Sequence, residues 1–179
     1  MRTEILEFAK DQVGKKEISG NQGFKDPLLD RAMRRVGFEN GWAWCALFAE
    51  LCYAEPTYSG KSKVIASISD CFSANAVKTY ENFEADKTGY FATDSKQALE
   101  GSVVIWEKRR DGHPVKTGIW TLGHAGIVLE VHKDYFMAIE GNTNSNGGRE
   151  GIEIAIKKRT FNNFHTDGLC LKGFITPLL

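Results

Sequence analysis

Apolar residues recur at helical spacing up to about residue 85 and then, after Gly101, in short runs with period two. The chain must therefore pack helices against a sheet. Thr3 can cap a first helix whose Ile5, Leu6, Ala9 and Val13 share one face, closed by Gly14. Lys15 to Lys25 is rich in Gly and Asn and reads as a loop. Asp26-Pro27 is a cap followed by proline at the first helical position, and Leu28, Leu29, Ala32, Met33 and Val36 follow up to Gly37. A third helix is expected from about Trp44 to Ala54, stopped by Pro56. A fourth is expected from near Ser69, carrying Phe72, Ala76, Tyr80 and Phe83.

Beyond Gly101, the segments Ser102–Trp106, His124–His132, Tyr135–Glu140, Gly151–Lys157 and Cys170–Thr176 are β-branched or aromatic and bounded by turn residues. Ile152, Ile154 and Ile156 alternate with Glu153, Ala155 and Lys157 as in a half-exposed strand, and Lys133-Asp134 reads as a hairpin turn. Helices first and antiparallel strands after predict one α+β domain over residues 1–179, with no linker or repeat to divide it.

Lys plus Arg and Asp plus Glu number 23 each, so the formal charge is zero and neither nucleic acid nor membrane insertion is expected. The runs Lys108-Arg109-Arg110 and Lys157-Lys158-Arg159 read as solvated faces. The opening MRTEILEFAK lacks the apolar stretch of a signal peptide, and no run of about 18 apolar residues suggests a membrane span. The expectation is synthesis as a soluble cytoplasmic protein that something else must carry if it acts outside. None of the four cysteines, at 45, 52, 71 and 170, forms a C-x-x-C pair, so neither a metal site nor a cofactor is indicated. Cys45 and Cys52 on one helix would stand roughly 10 Å apart, too far for a disulfide.

In GWAWCALFAELCYA, residues 41–54, Cys45, Phe48, Ala49 and Cys52 fall on one helical face directed at the sheet. Helical spacing alone makes Cys45 a core residue. Its place in the first helical turn, beside unpaired N–H groups and the positive end of the dipole, also suits a thiolate. The same N–H groups can hold an oxyanion. Among the histidines, His113, His132 and His165 lie in charged, turn or polar settings, whereas His124 opens an apolar strand between Gly123 and Gly126. The next strand ends in Glu140 and Asn142, two residues apart and so on one face. A three-residue hairpin loop puts Asn142 opposite His124 with Glu140 diagonal to it. A two-residue loop turns both away unless a bulge restores register.

WCALF, GHAGIVLEV and IEGNTN, in that order, resemble the CHAP family of cysteine, histidine-dependent amidohydrolases and peptidases, within the papain-like NlpC/P60 grouping. GKKEISGNQG, with Glu17 and Asn21, resembles the segment before the nucleophile in phage-type members, so the similarity spans roughly residues 10–145. The resemblance implies a papain-like fold, with N-terminal helices on an antiparallel β-sheet. It implies Cys45 as nucleophile, His124 as base, and Glu140 and Asn142 as its supports, with bacterial peptidoglycan as substrate and no cofactor. Trp44, Glu17 and Asn21 are the substrate-binding candidates. Trp42, Trp106 and Trp120 are also weighed, Trp106 as core packing on its strand. The stretch from Cys45 to His124 is longer than in compact members, with the extra length expected in Tyr53–Ser69 and Glu107–Leu122.

Such an enzyme without a leader would reach the cell wall through a phage pore or a secretion machine. In the second case an immunity protein is a further partner. Two other readings remain open: an NlpC/P60-type or other cysteine peptidase or amidase on a different substrate, and a non-catalytic cell-wall-binding module. Inertness of Cys45 to a thiol probe would favour the module.

Overall fold

The computed structural model of the protein describes residues 1–57, 68–94, 96–143, 151–161 and 167–178. Among the described residues the helices before the main sheet include α1 (Arg2–Asp11), α2 (Pro27–Arg35), α3 (Cys45–Thr57) and α4 (Ala76–Ala85). Asp26 Oδ1 accepts the N–H groups of Leu28 and Leu29, each at 2.9 Å, fixing the start of α2 as its sequence predicts.

Other boundaries differ from expectation. Thr3 lies inside α1, which starts one residue after Met1 and ends at Asp11, before Gly14. Pro56 sits in the last turn of α3, where the helix extends a single residue beyond it. The expected fourth helix is split: residues 68–71 form a helical turn, and Asn75 then caps α4 by accepting the Lys78 N–H at 2.9 Å. An Asn side chain competing for backbone N–H groups breaks the helix there.

The strands are β1 (Phe91–Asp94), β2 (Val103–Arg110), β3 (His113–Pro114), β4 (Lys116–Thr117), β5 (Trp120–Thr121), β6 (Gly123–Val131), β7 (Tyr135–Thr143), β8 (Glu153–Thr160) and β9 (Gly168–Pro177). The main sheet runs β1-β9-β2-β6-β7-β8, with β3 pairing beyond β2, and every pairing is antiparallel. β4 and β5 form a separate hairpin. The main sheet and the helices before it make the α+β architecture expected of the chain.

Alternation along the strands divides the core in two. Val103, Ile105, Ala125, Ile127, Ile139, Ile154 and Ile175 face the helices, while Val104, Trp106, Val128, Phe136, Ala138 and Phe174 build a smaller cluster with Phe161 and Leu171. Helix α3 packs between α1 and α2 on one side and β6 and β7 on the other, so Phe48, Ala49, Leu51, Cys52 and Tyr53 are fully buried. The Tyr53 hydroxyl donates to the carbonyl of Gly101 at 2.8 Å, pinning the helix to the entry of β2. The expected Ile152–Ile156 alternation fails: Ile154 is buried, but Ile152 and Ile156 are exposed, because β8 is an edge strand of which only the first residues, Glu153 to Ala155, are buried. Among the described residues no helix is long and apolar enough to cross a membrane.

Candidate functional site

Cys45 is the first residue of α3, and the Phe48 N–H donating to the Trp44 carbonyl at 2.8 Å closes the turn around it. The thiol is buried. Burial opposes its ionisation, but the charge of His124, a hydrogen bond with that ring and the backbone N–H groups of Ala125 and Ala46 outweigh it, so its pKa falls below the ordinary thiol value. Cys52, one turn pair further along, has only burial acting strongly on it and is pushed well up. Cys71 and Cys170 are also buried.

The imidazole reaches Cys45 because of the hairpin register. His132 and Tyr135 bond across a two-residue turn, and Val131–Phe136 and Glu130–Met137 pair in the register that turns Glu140 away. A bulge between Val128 and Glu130 then shifts the ladder to Val128–Ala138 and Ile127–Ile139. Continued to the strand end, that register sets Glu140 across from Gly126 and diagonal to His124. Only glycine fits at 126, since a Cβ there would stand 2.8 Å from Glu140 Cγ.

His124 Nε2 lies 2.9 Å from Glu140 Oε2, leaving the other ring nitrogen for Cys45. The Glu140 side chain is wholly buried and takes two charge-assisted bonds from Arg159, Nε to Oε1 at 2.7 Å and Nη2 to Oε2 at 2.6 Å. Burial pushes Glu140 up, but Arg159 and His124 pull it below the usual carboxylate range. Burial likewise pushes His124 down. The Cys45 charge and hydrogen bond, with those of Glu140, raise it to about 10. The four residues thus stand in the order thiol, imidazole, carboxylate and guanidinium, each beside a group that favours its charged form. Trp106 supports them from the side: its ring stacks on His124 with centroids 5.7 Å apart, and the Arg159 guanidinium lies 5.1 Å from its centroid. Trp106 is otherwise buried in the smaller cluster, as its strand position predicts.

The other expected site residues sit elsewhere. Trp44 is fully buried, its indole N–H donating to Glu17 Oε2 at 2.6 Å and its ring edge-on to Phe24 and Phe48. Glu17 is buried beneath it, with Oε1 3.4 Å from the Asn21 N–H. Trp44 and Glu17 brace the entry to α3 from inside the core, with the half-exposed Asn21 meeting Glu17 through its backbone; an apolar pocket beneath a helix start claims an indole more strongly than water does. Asn142, the last residue but one of β7, has φ of 52°, where the β7–β8 register shifts between Glu140 and Thr143. Asn tolerates that left-handed conformation, and the ring's hydrogen bond on this strand is to Glu140. His113 and His132 lie in β3 and at the β6–β7 turn, away from Cys45; His165 falls outside the described residues.

Arg159 escapes a reading that treats Lys157-Lys158-Arg159 as a solvated run. Its pairing opposite Phe136, four residues from Glu140 on the same face of β7, is the signal that identifies it. Among the described residues no three His, Cys, Asp or Glu side chains converge as a metal-binding set.

A groove of about 770 Å³ lies beside the pair, lined by Trp42, Ala43, Ser73, Ala74, Asn75, Thr117, Trp120 and Leu122. Two of its lining residues, Ala43 and Leu122, stand two positions before Cys45 and His124 in the chain.

Among curated proteins none matches the chain. A solved structure, "The crystal structure of Ly7917", aligns with 99% of the chain at 16% identity and a TM-score of 0.47, and the chain spans 62% of the length of that protein. The CHAP domain model matches residues 37–142, a segment that holds Cys45, His124, Glu140 and Asn142 and stops before Arg159. Covering more than half of the chain, that match places the protein in the CHAP family of amidohydrolases and peptidases, with the papain-like α+β architecture described above.

Proposed function

We propose that the protein is a peptidoglycan hydrolase that cleaves an amide bond through a thioester on Cys45. The observation that carries this reading is the hydrogen-bonded order Cys45–His124–Glu140 in a member of a cell-wall amidase and peptidase family. Cys45 attacks the amide carbonyl as a thiolate, and its own backbone N–H, at the positive end of α3, donates to the oxyanion. The imidazolium of His124 passes its proton to the departing amine as the C–N bond breaks. Neutral His124 then takes a proton from water, the hydroxide equivalent adds to the thioester, and the acid leaves as the thiolate returns. Glu140 holds the ring through Nε2 and stabilises its charge, and Arg159 keeps Glu140 ionised and oriented.

Purified peptidoglycan digested by the wild type and by Cys45→Ala tests this, with products identified by mass spectrometry. Soluble fragments from the wild type alone support the reading. Equal inactivity of two folded proteins across several wall chemistries rejects it in favour of another amide substrate or a binding module.

A further inference from the structure

The two groups that bond the Glu140 carboxylate also meet a single ring. The His124 imidazole stacks on the Trp106 indole with centroids 5.7 Å apart and planes 28° from parallel, and the Arg159 guanidinium carbon lies 5.1 Å from the same indole's centroid. Register puts them there. Trp106 of β2 pairs directly with His124 of β6, so both side chains leave the sheet on one face. On the other side, β9 sets Leu171 opposite Trp106, and an extra residue, Lys172, bulges between Leu171 and Gly173. Lys172 turns to Tyr80, its Nζ 5.4 Å from that ring. With Phe136 stacked at 6.2 Å, the indole is only 4% exposed.

Burial in the smaller cluster accounts for an apolar side chain at 106, and Val104, Phe136 and Phe174 share that packing. It does not account for an aromatic ring set against an imidazole and a guanidinium at once. The hydrogen bond that Nε2 makes with Glu140 fixes one point of the His124 ring and leaves rotation about it, because χ2 of a histidine has broad wells. A near-parallel ring on the neighbouring strand stops that rotation and keeps the second nitrogen toward Cys45. An indole face also attracts a cation more than a neutral ring, so it favours the imidazolium that protonates the leaving amine. We propose that Trp106 is a positioning residue of the reaction: its indole is a shared floor that holds the His124 ring and the Arg159 guanidinium in line with Glu140. The effect on turnover rests on the hydrolase reading above; the effect on the ring does not. Among the described residues, the titratable groups acting on His124 are Cys45 from α3 and Glu140 from β7, with Arg159 of β8 behind Glu140. Glu107, next to Trp106 on β2, pairs instead with Arg109 at 2.9 Å.

The test compares Trp106→Phe, which keeps a smaller aromatic face, with Trp106→Leu, which stays apolar and loses the face. Each is made in the full chain with and without Cys45→Ala, and circular dichroism checks the fold. Trp106→Met, longer and more adaptable, replaces Trp106→Leu if the latter does not fold. On the Cys45→Ala background, the His124 Cε1–H resonance is followed against pH. Trp106→Leu is expected to lower the titration midpoint of the ring by about one pH unit, and Trp106→Phe by less than half of that. On peptidoglycan, Trp106→Leu is expected to lower kcat about 10-fold with KM within about twofold, and Trp106→Phe to recover most of the loss. A midpoint unmoved in Trp106→Leu, or equal midpoints and equal kcat in the two variants, overturns the proposal and leaves Trp106 as packing. A wild type inactive on every wall rejects the hydrolase reading, and the titration still decides the role of Trp106.

Discussion

Arg159 grips both oxygens of Glu140, with Nε 2.7 Å from Oε1 and Nη2 2.6 Å from Oε2, from a strand position opposite Phe136. Glu140 is wholly buried, whereas the arginine side chain keeps about a quarter of its surface in water. Removing a partner from a fully buried pair costs about 3–5 kcal/mol, and the solvent contact of Arg159 reduces that to about 2–3 kcal/mol for Arg159→Ala. Urea unfolding measures it. Arg159→Lys supplies one point charge in place of a two-toothed fork and is expected to restore stability better than turnover. An Arg159→Lys protein with wild-type kcat/KM would reduce Arg159 to a counter-charge.

The pH profile of kcat/KM follows from the shifts at Cys45 and His124. Activity is expected to rise with pH as the Cys45 thiol, held below its ordinary value, loses its proton, and to fall as His124 loses its own near pH 10. The same shifts set stability. His124 has a raised pKa, so its contribution is complete below its ordinary value of 6.5 and fades as pH rises towards 10. Glu140 has a lowered pKa, so its contribution is complete above 4.5 and is lost as pH falls through its folded value. A wild-type alkaline limb near pH 7 contradicts the account.

Asn142 separates a backbone role from a chemical one. If its left-handed φ is its task, Asn142→Gly keeps activity within about twofold, and Asn142→Val, strained at that φ, loses about 1–2 kcal/mol of stability. Turnover assays and thermal melts on both variants check this. A loss in Asn142→Gly equal to that in Asn142→Ala would assign the carboxamide a part in the reaction.

Glu50 is another buried carboxylate, on α3, and burial alone pushes its pKa from 4.5 to about 7. A raised carboxyl contributes fully below 4.5 and loses that contribution as pH rises through about 7. Glu50→Gln is therefore expected to stabilise the protein at pH 8 by up to about 3 kcal/mol while changing little at pH 4. Melting temperatures at the two pH values decide it, and an equal shift at both rejects a titrating Glu50.

Much of this arrangement is legible along the chain because it depends on local spacing. The cap at Asp26, the start of α3 at Cys45 and the shared face of His124 and Glu140 each follow from residues close in sequence. Even the hairpin condition is legible: a two-residue turn brings Glu140 to His124 only through a bulge, and that bulge lies between Val128 and Glu130. What escapes depends on partners distant in the chain. Trp44 is taken inward by Glu17, 27 residues upstream, and Arg159 is drawn out of a basic run by Glu140. β1, only four residues long, is defined by pairing with β9 near the other end of the chain.

The central claim is that His124, facing Cys45, lowers the pKa of that thiol and makes it the reactive one. Alkylation by iodoacetamide at pH 6, with intact-mass and peptide analysis, measures it directly. The account predicts a single rapid adduct at Cys45, none at Cys52, Cys71 or Cys170, and loss of that reactivity in His124→Ala, where burial is left to push the thiol up. Slow, unselective labelling, or a Cys45 adduct that forms equally fast without His124, would contradict it.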